Sequence, residues 1–292
     1  MIDAHTHCFP PDLYKKCESW AHQNKEAHWL SLVAPKNKSS IQGWSSAEET
    51  LEQMDLAKVS KSLLLGWYWE HSATCRWHNQ LMKSWMEKAN NRFIGFASIF
   101  PSEAPIEQLE EASSMGFQGV GELHPTIQGF SENKENWYAM AEWCSDKKWP
   151  INLHVTEAMN LSHAGYVSTP FQDYLDLATH FPELKIILAH FGGGIPFFEQ
   201  NPKIKTLLKN VYYDTAACPL LYDMDIFRNM IQLVGSHKII FGSDFPLKLY
   251  PSTKQPPVMK TFIEDIRSNG GLSELERQRI FSENIIKILG NS

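Results

Sequence analysis

The sequence predicts an α/β fold, namely a distorted (β/α)8 TIM barrel with a long loop after the first strand. Eight short apolar runs recur along the 292 residues, and a stretch with helical patterning follows each of them. The runs are almost continuously apolar, as expected for parallel strands that are covered on both faces. A doubly wound open sheet is the alternative, because it shows the same alternation. No linker rich in Pro, Gly or Ser divides residues 1–292, which predicts a single domain.

The predicted strands are short runs rich in β-branched and aromatic residues. They are Met1–His7, Lys61–Trp67, Phe93–Phe100, Gly119–Leu123, Ile151–Val155, Lys185–His190, Val211–Thr215 and Ile239–Ser243. The predicted helices are a first one after Ser46, then Arg76–Asn90, Ile106–Met115, Ser131–Lys148, Pro170–His180, Pro196–Lys209, Leu220–Val234 and a last one from Leu272 to Gly290. Ser46 and Glu49 have the spacing of a capping box, which places the start of the first helix.

The connection between the first strand and the first helix is unusually long. It spans residues 8–44, whereas βα loops commonly have about 2–6 residues. The segment carries aromatic and imidazole side chains, including Trp20, His28 and Trp44. Two interpretations stay open: a packed excursion over the barrel, or a lid or pocket wall over the catalytic face.

Composition and charge favour a cytoplasmic protein that acts on a small molecule. The 27 basic and 33 acidic residues give a net charge of −6, which disfavours nucleic-acid and anionic-membrane partners. No apolar run reaches the roughly 18 residues of a membrane span. Five widely spaced cysteines without a C-x-x-C motif are typical of reduced thiols in the cytoplasm. Formation of a homo-oligomer is left open.

Six side chains of metal-ligating types stand at or near the ends of the predicted strands. They are His5, His7, Glu122, His154, His190 and Asp244. The H-x-H pair alone is weak evidence, although side chains two apart on a strand point the same way. Core strands normally exclude such polar groups, because burying them without partners costs on the order of several kcal/mol. Because catalytic residues of such barrels lie at the carboxyl ends of the strands, the joint pattern predicts a divalent-metal site.

Five segments around these residues carry a family resemblance. They are DAHTH (3–7), INLHV (151–155), ILAHFGGG (187–194), NVYYDTAA (210–217) and IIFGSDFP (239–246). In this order the segments resemble the amidohydrolase superfamily. More specifically, they are similar to its amidohydrolase-related branch, which contains aminocarboxymuconate-semialdehyde decarboxylase and lactone hydrolases. The similarity extends from Met1 to about Pro246.

The resemblance implies a metal site and a role for each ligand. It implies that a divalent ion is bound by His5, His7, His154 and Asp244. His190 would ligate a second ion or orient the attacking water. Glu122 in GVGE occupies the position of a bridging carboxylate in two-metal relatives, so the number of ions, one or two, stays open. Zn²⁺ is the first choice for such ligands in a redox-neutral site, with Mn²⁺ or Fe²⁺ as alternatives.

The predicted activity is that of a metal-dependent hydrolase. Metal-activated water would cleave a C–N or C–O bond of an amide, lactone or ester type, with Asp244 and His190 as catalytic residues. The alternative is a non-oxidative decarboxylase of an aromatic or enoic acid. A phosphoesterase or nuclease is a third candidate, and the net charge of −6 and the lack of a basic stripe count against long nucleic acids as its substrate. A purely structural ion is disfavoured because structural zinc sites are usually closed and rich in sulfur.

Further residues are predicted around this site. Trp67, Trp69, His124 and Arg76 are expected to contact substrate, the two tryptophans because alternate side chains of a strand share a face. Structural packing of the rings and a solvated His124 are the alternatives. Asp3 is expected to fix the end of the first strand or to hold a ligand imidazole. Asp214 is expected to hold a ligand imidazole, although it equally suits a helix cap. Lys248 and His163 are weaker candidates for the pocket.

Overall fold

Eight parallel β-strands form a ring that is surrounded by helices. The computed structural model describes residues 1–36, 39–159, 164–251 and 256–290. Within these residues the strands are β1 (Ile2–Thr6), β2 (Lys61–Leu65), β3 (Phe93–Phe96), β4 (Val120–Leu123), β5 (Ile151–Leu153), β6 (Ile186–Leu188), β7 (Val211–Asp214) and β8 (Ile239–Ile240). Parallel pairing joins β1, β2 and β3, in this order, in one sheet. A second sheet contains β4, β5, β6, β7 and β8, also in chain order.

Two irregular joins connect the two sheets into a barrel. Between β3 and β4, the Gly121 amide donates to the Ala97 carbonyl at 3.0 Å. Between β8 and β1, the Ala4 amide donates to the Phe241 carbonyl at 2.8 Å. Both hydrogen bonds lie outside the regular strand pairs of the two sheets. The ring therefore closes with irregular strand pairing at these two positions. The predicted distorted (β/α)8 barrel is confirmed.

Alternation along β1 separates an apolar face from a polar one. Ile2 and Ala4 are buried in one apolar cluster with Ile285 and Ile288 near the carboxyl end of the chain. His5 belongs to the other face and is also buried. The polar face of β1 therefore faces a compartment that must satisfy imidazole groups without water.

The helices occupy most of the predicted positions. They are α1 (Cys17–Asn24), α2 (Ala27–Val33), α3 (Ala47–Ala57), α4 (Ser72–Lys88), α5 (Pro105–Ser114), α6 (Lys134–Lys147), α7 (Phe171–His180), α8 (Ile195–Phe198), α9 (Pro202–Leu207), α10 (Cys218–Leu221), α11 (Ile226–Val234), α12 (Met259–Asn269), α13 (Glu274–Gln278) and α14 (Asn284–Leu289). The predicted capping box is confirmed: the Glu49 amide donates to Ser46 Oγ, and the Ser46 amide to Glu49 Oε2.

Among the described residues, no helix combines the length and apolar character needed to cross a bilayer.

Three helices were not predicted, and three predicted helices are divided. The helix predicted from Leu272 to Gly290 has a π-helical segment, Arg279–Glu283, between α13 and α14. Helix α12 was missed although Met259, Phe262, Ile263 and Ile266 repeat at helical spacing and are buried. Helices α1 and α2 fold inside the long connection. The predicted helix Pro196–Lys209 is interrupted because Pro202 lacks the amide proton that a continuous helix needs, so it starts a new helix instead. The predicted helix Leu220–Val234 is likewise divided into α10 and α11.

The described part of the long connection, residues 8–36 and 39–44, is a packed excursion that is fixed by backbone hydrogen bonds at both ends. The Phe9 amide donates to the Ser45 carbonyl at 3.1 Å, which ties its beginning to its end. The Lys248 amide donates to the Ile41 carbonyl at 2.9 Å, which fixes it to the segment after β8. The excursion thus lies over the ends of β1 and β8, next to the predicted site.

A buried ion pair links the segments around β6, β7 and β8. Lys238 Nζ lies 2.5 Å from Glu199 Oε1, and both side chains are almost fully buried. The Tyr213 hydroxyl donates to the same carboxylate oxygen at 2.6 Å. Removing one partner of a buried pair leaves an uncompensated charge in a poorly solvated place.

We expect Lys238→Ala to lower the free energy of unfolding by about 3 kcal/mol, because Glu199 loses its cation. Urea unfolding followed by circular dichroism measures the change. Lys209→Ala is the matched control, since Lys209 forms an exposed pair with Glu183 and exposed pairs contribute little. Equal stability of the two variants would contradict the structural role of the buried pair.

Candidate metal centre and its cavity

The six predicted ligand residues converge at the carboxyl ends of the strands. They form two groups, His5 with His7 and Asp244, and Glu122 with His154 and His190. His154 was expected to share an ion with His5, His7 and Asp244, but the structure groups it with Glu122 and His190. In each group one ligand atom of every residue lies within 4.8 Å of the others. Parallel strands in a closed ring bring their ends to one face of the barrel, so residues far apart in sequence meet there.

The first group has the spacing of ligands around one cation. His5 Nε2 and His7 Nε2 are 3.2 Å apart, and each is 3.8 Å from Asp244 Oδ1. Ligands at about 2.0–2.2 Å from an ion stand roughly 3–3.5 Å from one another in tetrahedral geometry. Two imidazole nitrogens and a carboxylate oxygen are a donor set that suits Zn²⁺, Mn²⁺ or Fe²⁺.

The Glu122 carboxylate faces both groups. Its Oε1 lies 2.9 Å from His154 Nδ1 and 3.6 Å from His190 Nε2. Its Oε2 lies 3.7 Å from the Nε2 atoms of both His5 and His7. The two oxygens of one side chain are therefore directed at different groups of imidazoles, as a carboxylate shared between two cations would be.

A glycine next to Glu122 lets β4 and β5 approach each other here. Gly121 has φ of 140°, in a region that side chains rarely adopt. A Cβ atom on Gly121 would lie 2.7 Å from the Cβ and the carbonyl oxygen of Asn152. Only glycine at this position allows the close approach.

Two ligands lie on left-handed backbone. His190 has φ of 58° and Asp244 has φ of 60°. This left-handed conformation costs a non-glycine residue roughly 1–2 kcal/mol. The His190 amide donates to Asp214 Oδ1 at 3.1 Å, and the Asp244 amide donates to the His5 carbonyl at 2.9 Å. These bonds hold the strained backbone where the ligand side chains are needed.

Asp214 supports the site from behind the imidazoles. Its Oδ2 lies 2.9 Å from His5 Nδ1 and accepts a bond from Asn152 Nδ2 at 3.1 Å. Its Oδ1 accepts from the amides of His190 and Ala216. The fully buried carboxylate thus contacts a ligand imidazole and fixes the turn after β7. It does not cap the next helix, because the N-cap of α10 is Ala217 and no side chain caps that helix. A bond from His5 Nδ1 directs Nε2 towards the cluster.

Asp3 connects β1 to the segment that follows β8. Its Oδ1 accepts bonds from the amides of His5 at 3.2 Å and Ser243 at 2.9 Å. The contacts of Asp3 are made with backbone, so it orients the strand that carries His5 and not the imidazole itself.

The carboxylates attract positive charge to the cluster. Burial alone lowers the pKa of His5, but the carboxylates of Asp214, Glu122 and Asp244 outweigh it and raise the pKa to about 10. The pKa of His190 rises against burial to about 9 for the same reason. The pKa of His7 falls to about 3 because of burial and the neighbouring His5 charge. Divalent cations would supply the positive charge that the buried carboxylates demand, so the residues fit a metal centre.

A cavity of about 530 Å³ lies above the cluster. Its floor contains five of the six ligand side chains, all except His5, and the stacked rings of Trp67 and Tyr68, with centroids 4.6 Å apart, form part of the wall. The excursion contributes Leu32 and residues 39–42 to the wall. A cavity of this size that combines mostly apolar walls with a few polar groups is typical of small-molecule sites.

Of the two tryptophans that were predicted to contact substrate, the structure places only one at the cavity. Trp67 lines the cavity, but Trp69 is fully buried behind it and donates from Nε1 to His78 Nδ1 at 3.0 Å. The reason is that β2 ends at Leu65, two residues before the predicted end, so strand alternation no longer governs Trp67 to Trp69. Tyr68, which was missed, lines the cavity instead.

His124 and Arg76 also lie outside the cavity lining. His124 stacks on the ring of His154, with centroids 5.0 Å apart, and supports this ligand from behind. Arg76 was expected at the head of its helix, but α4 begins at Ser72 and carries it outward. There Arg76 Nε donates to Glu111 Oε2 at 2.8 Å on the surface, which corrects its proposed substrate contact. His163 lies outside the described residues.

A family model described as amidohydrolase matches residues 2–290. The chain belongs to the amidohydrolase family. This amidohydrolase is 20% identical to 2-amino-3-carboxymuconate-6-semialdehyde decarboxylase of Dictyostelium discoideum over 99% of this chain and 91% of that protein. It is 24% identical to 4-sulfomuconolactone hydrolase of Hydrogenophaga intermedia over 70% of this chain and 68% of that protein.

A solved structure supports the fold of this amidohydrolase. It is 5-carboxyvanillate decarboxylase from Novosphingobium aromaticivorans, complexed with manganese and 4-hydroxy-3-methoxy-5-nitrobenzoic acid. The TM-score is 0.71 at 14% identity, and the match covers 99% of this chain and 95% of the other. Family members bind divalent metal, which agrees with the donor set described above.

We expect Asp214→Asn to weaken divalent-metal binding about 10–100-fold. The one remaining oxygen is held by the His190 and Ala216 amides, so the NH2 group faces His5 Nδ1, which loses the acceptor that orients its ring. Competition with a chromogenic chelator measures the affinity for Zn²⁺ and Mn²⁺. Asp223→Asn, at an exposed position, is the control. Unchanged affinity in the Asp214 variant would show that this carboxylate does not support the ligands.

Proposed function

We propose that this amidohydrolase is a metal-dependent hydrolase that cleaves a C–N or C–O bond of an amide, lactone or ester type in a small molecule. The observation that carries the proposal is the Glu122 carboxylate, whose two oxygens face separate groups of imidazoles at the floor of a cavity. Two adjacent cation sites favour hydrolysis, because such pairs stabilise attacking and leaving oxygens.

We propose two ions, with Zn²⁺ as the first choice and Mn²⁺ or Fe²⁺ as alternatives. His5, His7 and Asp244 would hold one ion, His154 and His190 the other, and Glu122 would contact both. Bound there, divalent ions lower the pKa of water to about 7 and polarise a substrate carbonyl.

Asp244 is the proposed proton carrier. Its carboxylate borders the cavity and lies 3.8 Å from His7 Nε2 and 4.0 Å from His190 Nδ1. It accepts a proton from the attacking water and delivers it to the leaving nitrogen or oxygen. His190 orients the reacting groups, with its Nδ1 held 3.1 Å from the Ala216 carbonyl.

Tyr68 supplies a neutral hydrogen-bond donor. Its side chain borders the cavity, and no described residue shares a hydrogen bond with its hydroxyl. Burial and the carboxylates of Glu122 and Asp244 raise its pKa well above the usual value, so the phenol stays protonated. It donates to a substrate oxygen, while the stacked Trp67 ring excludes water from that side.

Non-oxidative decarboxylation is the second candidate. Its support is the similarity to two decarboxylases, including the one complexed with manganese. A decarboxylase must hold a carboxylate, for which arginine is the usual device. Neither lysine nor arginine lines the cavity in the part of the chain that the structure describes, and this favours hydrolysis.

Turnover of a substrate panel by the metal-loaded full chain tests the function. We expect hydrolysis of at least one lactone, ester or amide, and we expect Asp244→Asn to lower kcat about 10²–10⁴-fold through loss of proton transfer. Metal content is measured in parallel, so that loss of an ion is distinguished from loss of the proton carrier. Asp223→Asn serves as the control variant. Release of CO₂ from an aromatic or enoic acid, without hydrolysis of any panel member, would favour the decarboxylase.

A further inference from the structure

The upper walls of the cavity are apolar on three sides. The excursion contributes Leu32 and Ile41, α10 contributes Leu220 and Leu221, and the segment after β8 contributes Leu247. None of these side chains belongs to the proposed metal centre. A ligand that fills the cavity must therefore cover aliphatic surface above the floor.

Polar side chains in these walls already bond to backbone. Ser40 Oγ donates to the Leu32 carbonyl at 2.9 Å, and Gln42 Nε2 donates to the Gly43 carbonyl at 2.6 Å. Thr156 Oγ1 donates to the Val167 carbonyl at 2.8 Å. With their donors used in this way, the walls offer few groups that would compensate a ligand for lost hydration.

No basic side chain of the described residues lies in the wall above the floor. Glu122 and Asp244 belong to the proposed metal centre, Glu157 lies in the wall, and residues 1–36, 39–159, 164–251 and 256–290 contribute no lysine or arginine to the lining. Arg76, the arginine nearest in sequence to the β2 end, is paired with Glu111 outside the cavity. An anionic group above the floor would lose hydration without gaining a cationic partner.

We propose that the cavity selects an uncharged substrate with an apolar body, such as an aryl or branched alkyl lactone, ester or amide. The carbonyl lies at the floor beside Tyr68, and the apolar body contacts Leu220, Leu221 and Leu247. The inference rests on the proposed function, because the floor must hold the reacting group. It adds the class of substrate and excludes di- and tricarboxylates.

Two probes with the same metal-binding head test the inference without turnover. They are alkyl hydroxamates of equal chain length, one ending in phenyl and the other in carboxylate. Isothermal titration of the metal-loaded full chain should give a Kd at least tenfold lower for the phenyl probe. Equal or tighter binding of the carboxylate probe would overturn the inference, as would failure of both probes to bind.

A cation placed in the wall should reverse the preference. Leu221→Lys is expected to tighten the carboxylate probe at least tenfold and to weaken the phenyl probe. Leu207→Lys adds the same charge at a position outside the cavity and should leave both Kd values unchanged. If Leu221→Lys does not improve carboxylate binding, the assigned wall is contradicted.

Two lysines outside the described residues need their own controls. Lys38→Ala and Lys254→Ala are each measured with both probes, because either side chain could supply a cation that the described lining does not contain. Both variants should leave the Kd of the carboxylate probe unchanged. At least tenfold weaker binding of that probe in either variant would reveal a cationic partner in the cavity and overturn the inference.

Turnover separates this inference from the proposed function. Faster hydrolysis of carboxylate-bearing esters than of matched neutral esters would overturn the substrate class and leave the hydrolase proposal standing. Tight binding of the phenyl probe without hydrolysis of any panel member would instead overturn the hydrolase proposal and leave the selectivity of the cavity standing.

Discussion

A buried carboxylate surrounded by four imidazoles is the interaction on which the rest of the site depends. Glu122 is almost fully buried, and its two oxygens lie within 3.7 Å of nitrogens from four histidines. Burial raises the pKa of Glu122, but the imidazoles of His154 and His5 outweigh burial and hold it well below its usual value. A negative charge fixed at this depth requires nearby positive charge. The proposed cations satisfy this requirement while leaving the imidazoles neutral and able to act as ligands.

The barrel makes this arrangement possible through its closing geometry. Glu122 follows Gly121, whose amide forms one of the bonds that join the two sheets, and the same glycine lets Asn152 approach. Asn152 in turn donates to Asp214, which orients His5 and fixes the backbone of His190. A chain of contacts therefore runs from the irregular join through the Asn152 side chain and the Asp214 carboxylate to two ligands. The irregular join of the barrel and the ligands His5 and His190 are thus connected by direct contacts.

The ligand set could be predicted from the sequence because strand ends of a barrel meet irrespective of loop length. His5, Glu122 and His190 needed only correct assignment of their strands. The substrate wall was harder, because it depends on where strands and helices end. The prediction extended strand alternation past Leu65, and it therefore favoured Trp69 over Tyr68. It also started α4 at Arg76 instead of Ser72, which placed Arg76 at the mouth of the barrel. Such errors of a few residues are harmless in a core but decisive for a side chain at a pocket.

The most direct test of the account is the number of ions that depend on Glu122. Full-length protein prepared without chelator, saturated with Zn²⁺ or Mn²⁺ and freed of excess ion, is analysed by inductively coupled plasma mass spectrometry. We expect two ions per chain in the wild type and one or fewer in Glu122→Ala, with the fold retained by circular dichroism. Equal metal content in the wild type and the folded variant, or a wild type that holds no ion, would contradict this expectation.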